Sequence, residues 1–256
     1  MARRLGASNR QRERQEQQAL AARVEAAAAR EFRRIIRDDM DAASRAWERD
    51  GDMAVEGFLS DHRARVERAL VSDYERAATA AGERLLRSAE KRHGRLALIV
   101  KEMPDEWTEA VQSFIRTYVG QKAKEIAGTT QDQLRSIILR GQEEGLGQSA
   151  IGALLREQSP SLSRWRAGMI ARTETGTAFS VGAQASADAS GLDLQKEWIA
   201  AGAGERRDAH QEVDAETVAS ADTFTVDGES LRYPRDPQGS AGNVINCACA
   251  AGYIEV

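Results

Sequence analysis

Residues 24–47 read VEAAAAREFRRIIRDDMDAASRAW, and in them Val24, Ala28, Phe32, Ile35, Ile36, Met40 and Trp47 recur mostly at three- and four-residue steps. No strand could use such a stripe over this length; it lines one face of an α-helix. Taken as a single helix from about residue 9 to residue 50, the segment is a rod of roughly 60 Å at 1.5 Å per residue. Asp50-Gly51-Asp52 then breaks it. A second stripe runs through Leu59, Val66, Leu70 and Tyr74 toward Leu85 and Leu86, with His62 and His93 in or beside it as ordinary surface or packing residues. A third begins after Pro104 with Trp107, Val111, Phe114, Ile115 and Tyr118, and Gly128 is expected to end it.

Thr130 with Gln133 three residues later resembles a capping box, predicting a fresh helix through Leu134, Ile137 and Ile138 that closes at Glu144-Gly145-Leu146-Gly147. A short helix around Ile151, Leu154 and Leu155 follows. Ser159-Pro160-Ser161 is expected to part it from a longer helix over 162–189, with Gly191 as the C-cap. Beyond Gly191 the pattern changes: 194–200 and 223–226 read as strands, Asp227-Gly228 as a hairpin turn, and Pro234 and Pro237 flank an irregular loop. The fold class is therefore mainly α, with long N-terminal helices, a helical body and a small C-terminal α+β cap. The expected division is an N-terminal helical region over 1–128 and a second region over 129–256, comprising helices over 129–191 and the cap over 192–256.

Composition agrees with extended helical structure, since 30% of the 256 residues are charged and only 5% aromatic. A net charge of -4 and a pI near 5.6 argue against a protein that coats nucleic acid with its whole surface. The first 37 residues nevertheless hold ten arginines against four glutamates. No apolar run approaches the roughly 20 residues of a membrane span, the longest being 96–100, and the N-terminus lacks a signal-peptide core. Cys247 and Cys249, the only cysteines, are too close in sequence to bridge comfortably, a usage that fits a reducing cytoplasm.

Four strings of the second half occur in a telling order. They are Ile170-Ala171-Arg172-Thr173-Glu174, with Trp198 after it; the pair Arg207 and His210; Phe224 through Glu229 with Tyr233-Pro234 and Asp236-Pro237-Gln238-Gly239; and Asn243-Val244-Ile245-Asn246-Cys247-Ala248-Cys249. In order and spacing, from about Thr130 to Cys249, they resemble the Mu F-like phage minor head (head morphogenesis) proteins. Ala248 departs from the arginine usual in the family between the cysteines, and Gly204-Glu205 from the more polar pair usual before the Arg-x-x-His. The resemblance implies a structural protein, not an enzyme. It would be built into the procapsid in few copies near the portal, with the portal, the major capsid or scaffold proteins and packaged DNA as partners and no membrane or small-molecule substrate. It also implies a place in the virion, at the capsid interior or portal vertex, after assembly in the host cytoplasm.

Read for their chemistry, the same residues give further expectations. Arg172 and Glu174, two apart on a helix, point about 200° from one another and must have separate partners, each expected to dock the cap onto the helix through an ion pair. His210, Cys247 and Cys249 have the character of zinc ligands but are three where structural zinc wants four; Asp208, Glu174 or Asp236 would have to complete the set. The bland alternative is a buried cysteine pair with His210 hydrogen-bonded nearby. A metal-dependent hydrolase or toxin-type domain built on these three residues is the competing function. A zinc deaminase is disfavoured, because its Pro-Cys-x-x-Cys is absent. Tyr233, Pro234, Asp236, Asn243 and Asn246 read as the fixed points of a loop. Arg3, Arg4, Arg10, Arg12 and Arg14 either alternate with glutamates on a solvated helix or grip phosphates of DNA or an acidic patch of the portal.

Overall fold

A computed structural model describes residues 7–51, 55–93, 103–201 and 207–256. Four long helices carry most of the chain: α1 (Ala7–Asp50), α2 (Val55–His93), α3 (Asp105–Glu143) and α4 (Gln148–Ala189). The fold is thus mainly α, as expected. α1 runs unbroken to Asp50, and Gly51, at a φ of +63° that glycine adopts without strain, ends it.

Two expected breaks do not occur. α3 passes through Gly128, because Thr130 does not cap a new helix; its hydroxyl donates back to Ile126 O at 3.0 Å, within one helical turn. α4 likewise continues through Pro160. Leu155, Ser159, Ser163 and Ala167 form one buried row across that position, and this packing outweighs the lost hydrogen bond of an exposed proline. The end of α3 is as read: Gly145 lies at φ +72°, with Leu146 N donating to Gly141 O at 2.9 Å and Gly145 N to Gln142 O at 3.0 Å, a Schellman closure.

The chain forms two compact units, to which each long helix contributes. One comprises Ala27–Ser72 and Ile115–Ala171. Phe32, Ile36, Met40, Leu70, Leu134, Ile151 and Leu155 fill its core. Ser44 Oγ donates to Gly152 O at 2.9 Å, and Arg166 reaches Ile126 O at 2.7 Å and Thr130 Oγ1 at 3.1 Å. His62 is fully buried here and bonds through Nδ1 to Asp39, which also meets Arg65. Burial, then the Arg166 charge, push its imidazole down to about 4. The side chain of His93 lies outside the described residues.

The other unit draws on Met1–Ala26, Asp73–Phe114 and Arg172–Val256. In its helical part a Cβ on Gly182 would stand 2.3 Å from Ala78 O, so only glycine permits this approach of α4 to α2. Trp107 Nε1 donates to Gly182 O at 3.0 Å. Gly191, φ +65°, turns the chain out of α4 as expected. The cap then forms an antiparallel sheet in the order β2 (Thr217–Ala219), β1 (Leu194–Ile199), β5 (Ala250–Glu255), with Gln195 opposite both Ala219 and Ile254. A hairpin of β3 (Phe224–Val226) and β4 (Glu229–Leu231) turns at Asp227 and Gly228, both at positive φ, the geometry that matches strand twist. Two short helices, α5 (Asp208–Glu212) and α6 (Ala241–Val244), complete it. Trp198, Val213, Phe224, Val226, Leu231, Cys247 and Cys249 share one apolar core.

Candidate metal centre in the C-terminal cap

α5 starts at Arg207 in extended conformation and places His210 facing inward, 2% exposed. Arg207 does not cap the helix by its side chain but donates Nη2 to Ile245 O, tying α5 to the segment that bears the cysteines. That segment turns at Asn246, in the left-handed region at φ +58°, which asparagine tolerates better than most residues. The Asn246 amide donates to Thr173 Oγ1 on α4 at 3.0 Å. Cys247 and Cys249 are thereby directed to the same imidazole nitrogen: His210 Nδ1 lies 3.6 Å from Cys247 Sγ and 3.4 Å from Cys249 Sγ.

The other ring nitrogen, Nε2, meets Asn243 Oδ1 at 3.1 Å, and Asn243 Nδ2 donates to Val226 O at 3.4 Å. The asparagine amide is oriented by β3, and the imidazole by the asparagine. Trp198 packs edge-on against His210 with ring centroids 5.5 Å apart. Cys249 N donates to Cys247 Sγ at 3.4 Å. A hydrogen bond with Cys249, helped by His210 and the Arg235 charge, holds the Cys247 thiol well below its ordinary range despite burial. The same bond and burial push the Cys249 thiol up. One nitrogen and two sulfurs within 4.8 Å of one another form the one such group of potential metal donors among the described residues.

None of the carboxylates considered as a fourth ligand stands with them. Asp236 is buried, but its oxygens accept from Arg232 N at 2.8 Å and Gln238 N at 3.1 Å, holding the loop through Pro237. Glu174 accepts the Tyr74 hydroxyl at 2.8 Å, and Asp208 is exposed on α5.

Arg172 and Glu174 do have separate partners. Arg172 pairs with Glu25 of α1 at 3.4 Å and Glu174 accepts from Tyr74 of α2 at 2.8 Å, so each braces a helix. The cap sits on α4 through smaller groups that the sequence reading passed over. Thr177 donates to Arg235 O at 3.2 Å and Ser180 to Pro234 O at 2.8 Å, while a Cβ on Gly176 would meet Arg235 Nε at 2.4 Å. The signal was available in the hydroxyl-rich stretch 173–180. Tyr233 is buried, which raises its phenol. Lys196, also missed, is wholly buried in β1, donating to Ser220 O at 2.8 Å and Gln184 Oε1 at 3.2 Å.

Of the N-terminal arginines, Arg3 and Arg4, and the side chain of Arg10, lie outside the described residues. Arg12 is exposed and 4.0 Å from Glu16. Arg14 instead donates to Ala200 O at 3.4 Å, beside Gln17, which donates to Ala251 O at 2.8 Å. α1 therefore meets the cap through Arg14 and Gln17.

No solved structure matches the chain. Over 122 residues it is 34% identical to NAD(+)--arginine ADP-ribosyltransferase EFV of Enterococcus faecalis, a match covering 46% of this chain and 24% of that protein. The chain thus spans about a quarter of that relative's length. Residues 132–252, which hold α4, most of the cap and its His-Cys-Cys cluster, match the family described as Phage Mu protein F like protein. That span begins beside Thr130 and ends just past Cys249, where the ordered strings lie, so that just under half of the chain, residues 132–252, is similar to the Mu F-like family.

Proposed function

We propose that the protein is a structural component of a tailed-phage head, acting in procapsid assembly beside the portal, in contact with the portal and with capsid or scaffold proteins. The family match over 132–252 carries this reading. It is supported by what the motif residues do: Glu174, His210, Asp236 and Asn243 are buried and engaged in internal hydrogen bonds. A catalytic constellation would instead face a cleft that admits substrate. Arg12, exposed on α1, and the arginines that precede it in the sequence add a salt-dependent contact to packaged DNA. The Arg3→Ala/Arg4→Ala/Arg10→Ala/Arg12→Ala variant, which spares Arg14, is expected to lower DNA retention and flatten its dependence on salt.

The deciding experiment co-expresses the chain with the portal, scaffold and major capsid proteins of its phage. Purified procapsids are expected to hold a few copies of the chain, and particles made without it to be fewer or poorly filled with DNA. Absence from procapsids, with normal yield and filling in its absence, overturns the reading. The name of the partial relative supplies a second one, arginine ADP-ribosylation. Incubation with NAD(+) and an arginine acceptor is expected to release no nicotinamide above background; release at enzymatic rates would favour the second reading over the first.

A further inference from the structure

We propose that His210, Cys247 and Cys249 bind one zinc ion, with Asn243 orienting the histidine and a water completing the coordination, so that the metal clamps α5 to the chain entering β5. Zinc bonds of about 2.3 Å to sulfur and about 2.0–2.1 Å to nitrogen in a tetrahedron separate nitrogen from sulfur by about 3.6 Å. The Nδ1–Sγ distances here are 3.6 and 3.4 Å.

The tautomer gives an independent argument. Val226 O receives the Asn243 amide N–H, which turns Oδ1 to His210 Nε2. Nε2 must then carry the ring proton, and Nδ1 is left with a bare lone pair directed at both sulfurs. A thiol proton could serve that lone pair from one cysteine only, whereas a cation at the centre serves all three atoms. An outer partner that fixes the ligand's tautomer in this way is what metal-binding histidines usually have. Two thiolates and a neutral imidazole cancel the charge of the ion, which makes it tolerable in a core shared with Trp198 and Phe224. Binding releases the two thiol protons to solvent.

Room for the fourth ligand lies beside Cys249. That residue lines a cavity of about 90 Å³ together with Gln17, Arg84, Phe179, Arg235 and Tyr253, large enough for water. The gain is structural: His210 lies 37 and 39 positions from the two cysteines in the chain, and one ion would tie α5 to the cysteine segment. The proposal holds whether or not the protein acts in head assembly.

The full chain, purified under reducing conditions from zinc-supplemented cells, is expected to contain close to one zinc per chain by plasma mass spectrometry. After exchange, cobalt(II) should give the thiolate charge-transfer bands and tetrahedral visible absorption of a two-sulfur site. Cys247→Ser and Cys249→Ser should each abolish them, and Asn243→Ala should weaken metal affinity about 10- to 100-fold while leaving the visible bands at saturation. Because a cysteine variant could fail to fold, cobalt titration of the unaltered chain is the primary readout. Sub-stoichiometric zinc with no cobalt spectrum in that chain overturns the proposal. So does a cysteine pair that resists alkylation after unfolding and proves to be a disulfide.

Discussion

Lys196 spends its charge inside the cap, and its energetics are set by that position. Burial, joined by the Arg232 charge and opposed by Asp188, Asp222 and Asp236, lowers its amine from 10.5 to about 8. Between those two values the unfolded chain holds a proton that the folded chain has released, so stability climbs as pH rises from about 8 to about 10.5. The climb is on the order of 3 kcal/mol. Chemical denaturation across that range should show it in the natural chain and not in Lys196→Met; parallel profiles would mean that the amine is solvated. A second buried bond gives a simpler test: Tyr74→Phe removes the hydroxyl that Glu174 accepts at 2.8 Å and should cost about 1.5–3 kcal/mol in equilibrium unfolding. These two residues mark what sequence makes visible. His210, Cys247 and Cys249 stand out by type and spacing, because few other residues do that chemistry. A lysine in a strand is ordinarily solvated, and nothing in Leu194-Gln195-Lys196-Glu197-Trp198 says that both faces of the strand are covered. Glu174 could be assigned a separate partner from helix geometry, but not the identity of that partner, which lies 100 residues away.

At the scale of elements, punctuation was legible where backbone conformation demanded a residue type and misleading where packing overrode it. Gly51, Gly145, Gly191 and Gly228 all sit at positive φ and end or turn an element as read. Gly128 does not, and Pro160 lies within α4, because in both places a buried helix face continues across the interruption. Pro160→Ala should therefore stabilise the protein by up to about 3 kcal/mol, seen as a higher denaturant midpoint at unchanged slope. An unchanged or lower midpoint would show that the packing relies on the proline ring. Gly182 is the opposite case. Gly182→Ala drives a methyl into the backbone of Ala78 and should cost about 1–3 kcal/mol, with the loss of protection concentrated in α2 and α4. β5 escaped notice for a related reason: Ala250-Ala251-Gly252 has neither the branched side chains nor the alternation that announce a strand, and pairing with β1 is what extends it.

Over the whole molecule, sequence order is a poor guide to spatial company. The unit that contains the cap also takes in α1 as far as Ala26, as the Gln17 bond to Ala251 illustrates. Deleting residues 1–26 should accordingly raise hydrogen exchange in β1 and β5 while the amides of Ala27–Ser72 and Ile115–Ala171 keep their protection. Equal loss throughout would show that the two units unfold together.

The same bond sets a schedule for biosynthesis. Every segment of the Ala27–Ser72 and Ile115–Ala171 unit has left the ribosome before the last strand of the cap is made, and that unit can close first. Gln17, by contrast, waits through 234 further residues for its acceptor. For that interval the arginine-rich leading segment lacks its contacts with the cap and is more open to chaperones, to nucleic acid and to proteases. Slowing elongation late in the message should lengthen its exposure and select against chains whose leading turns are sticky.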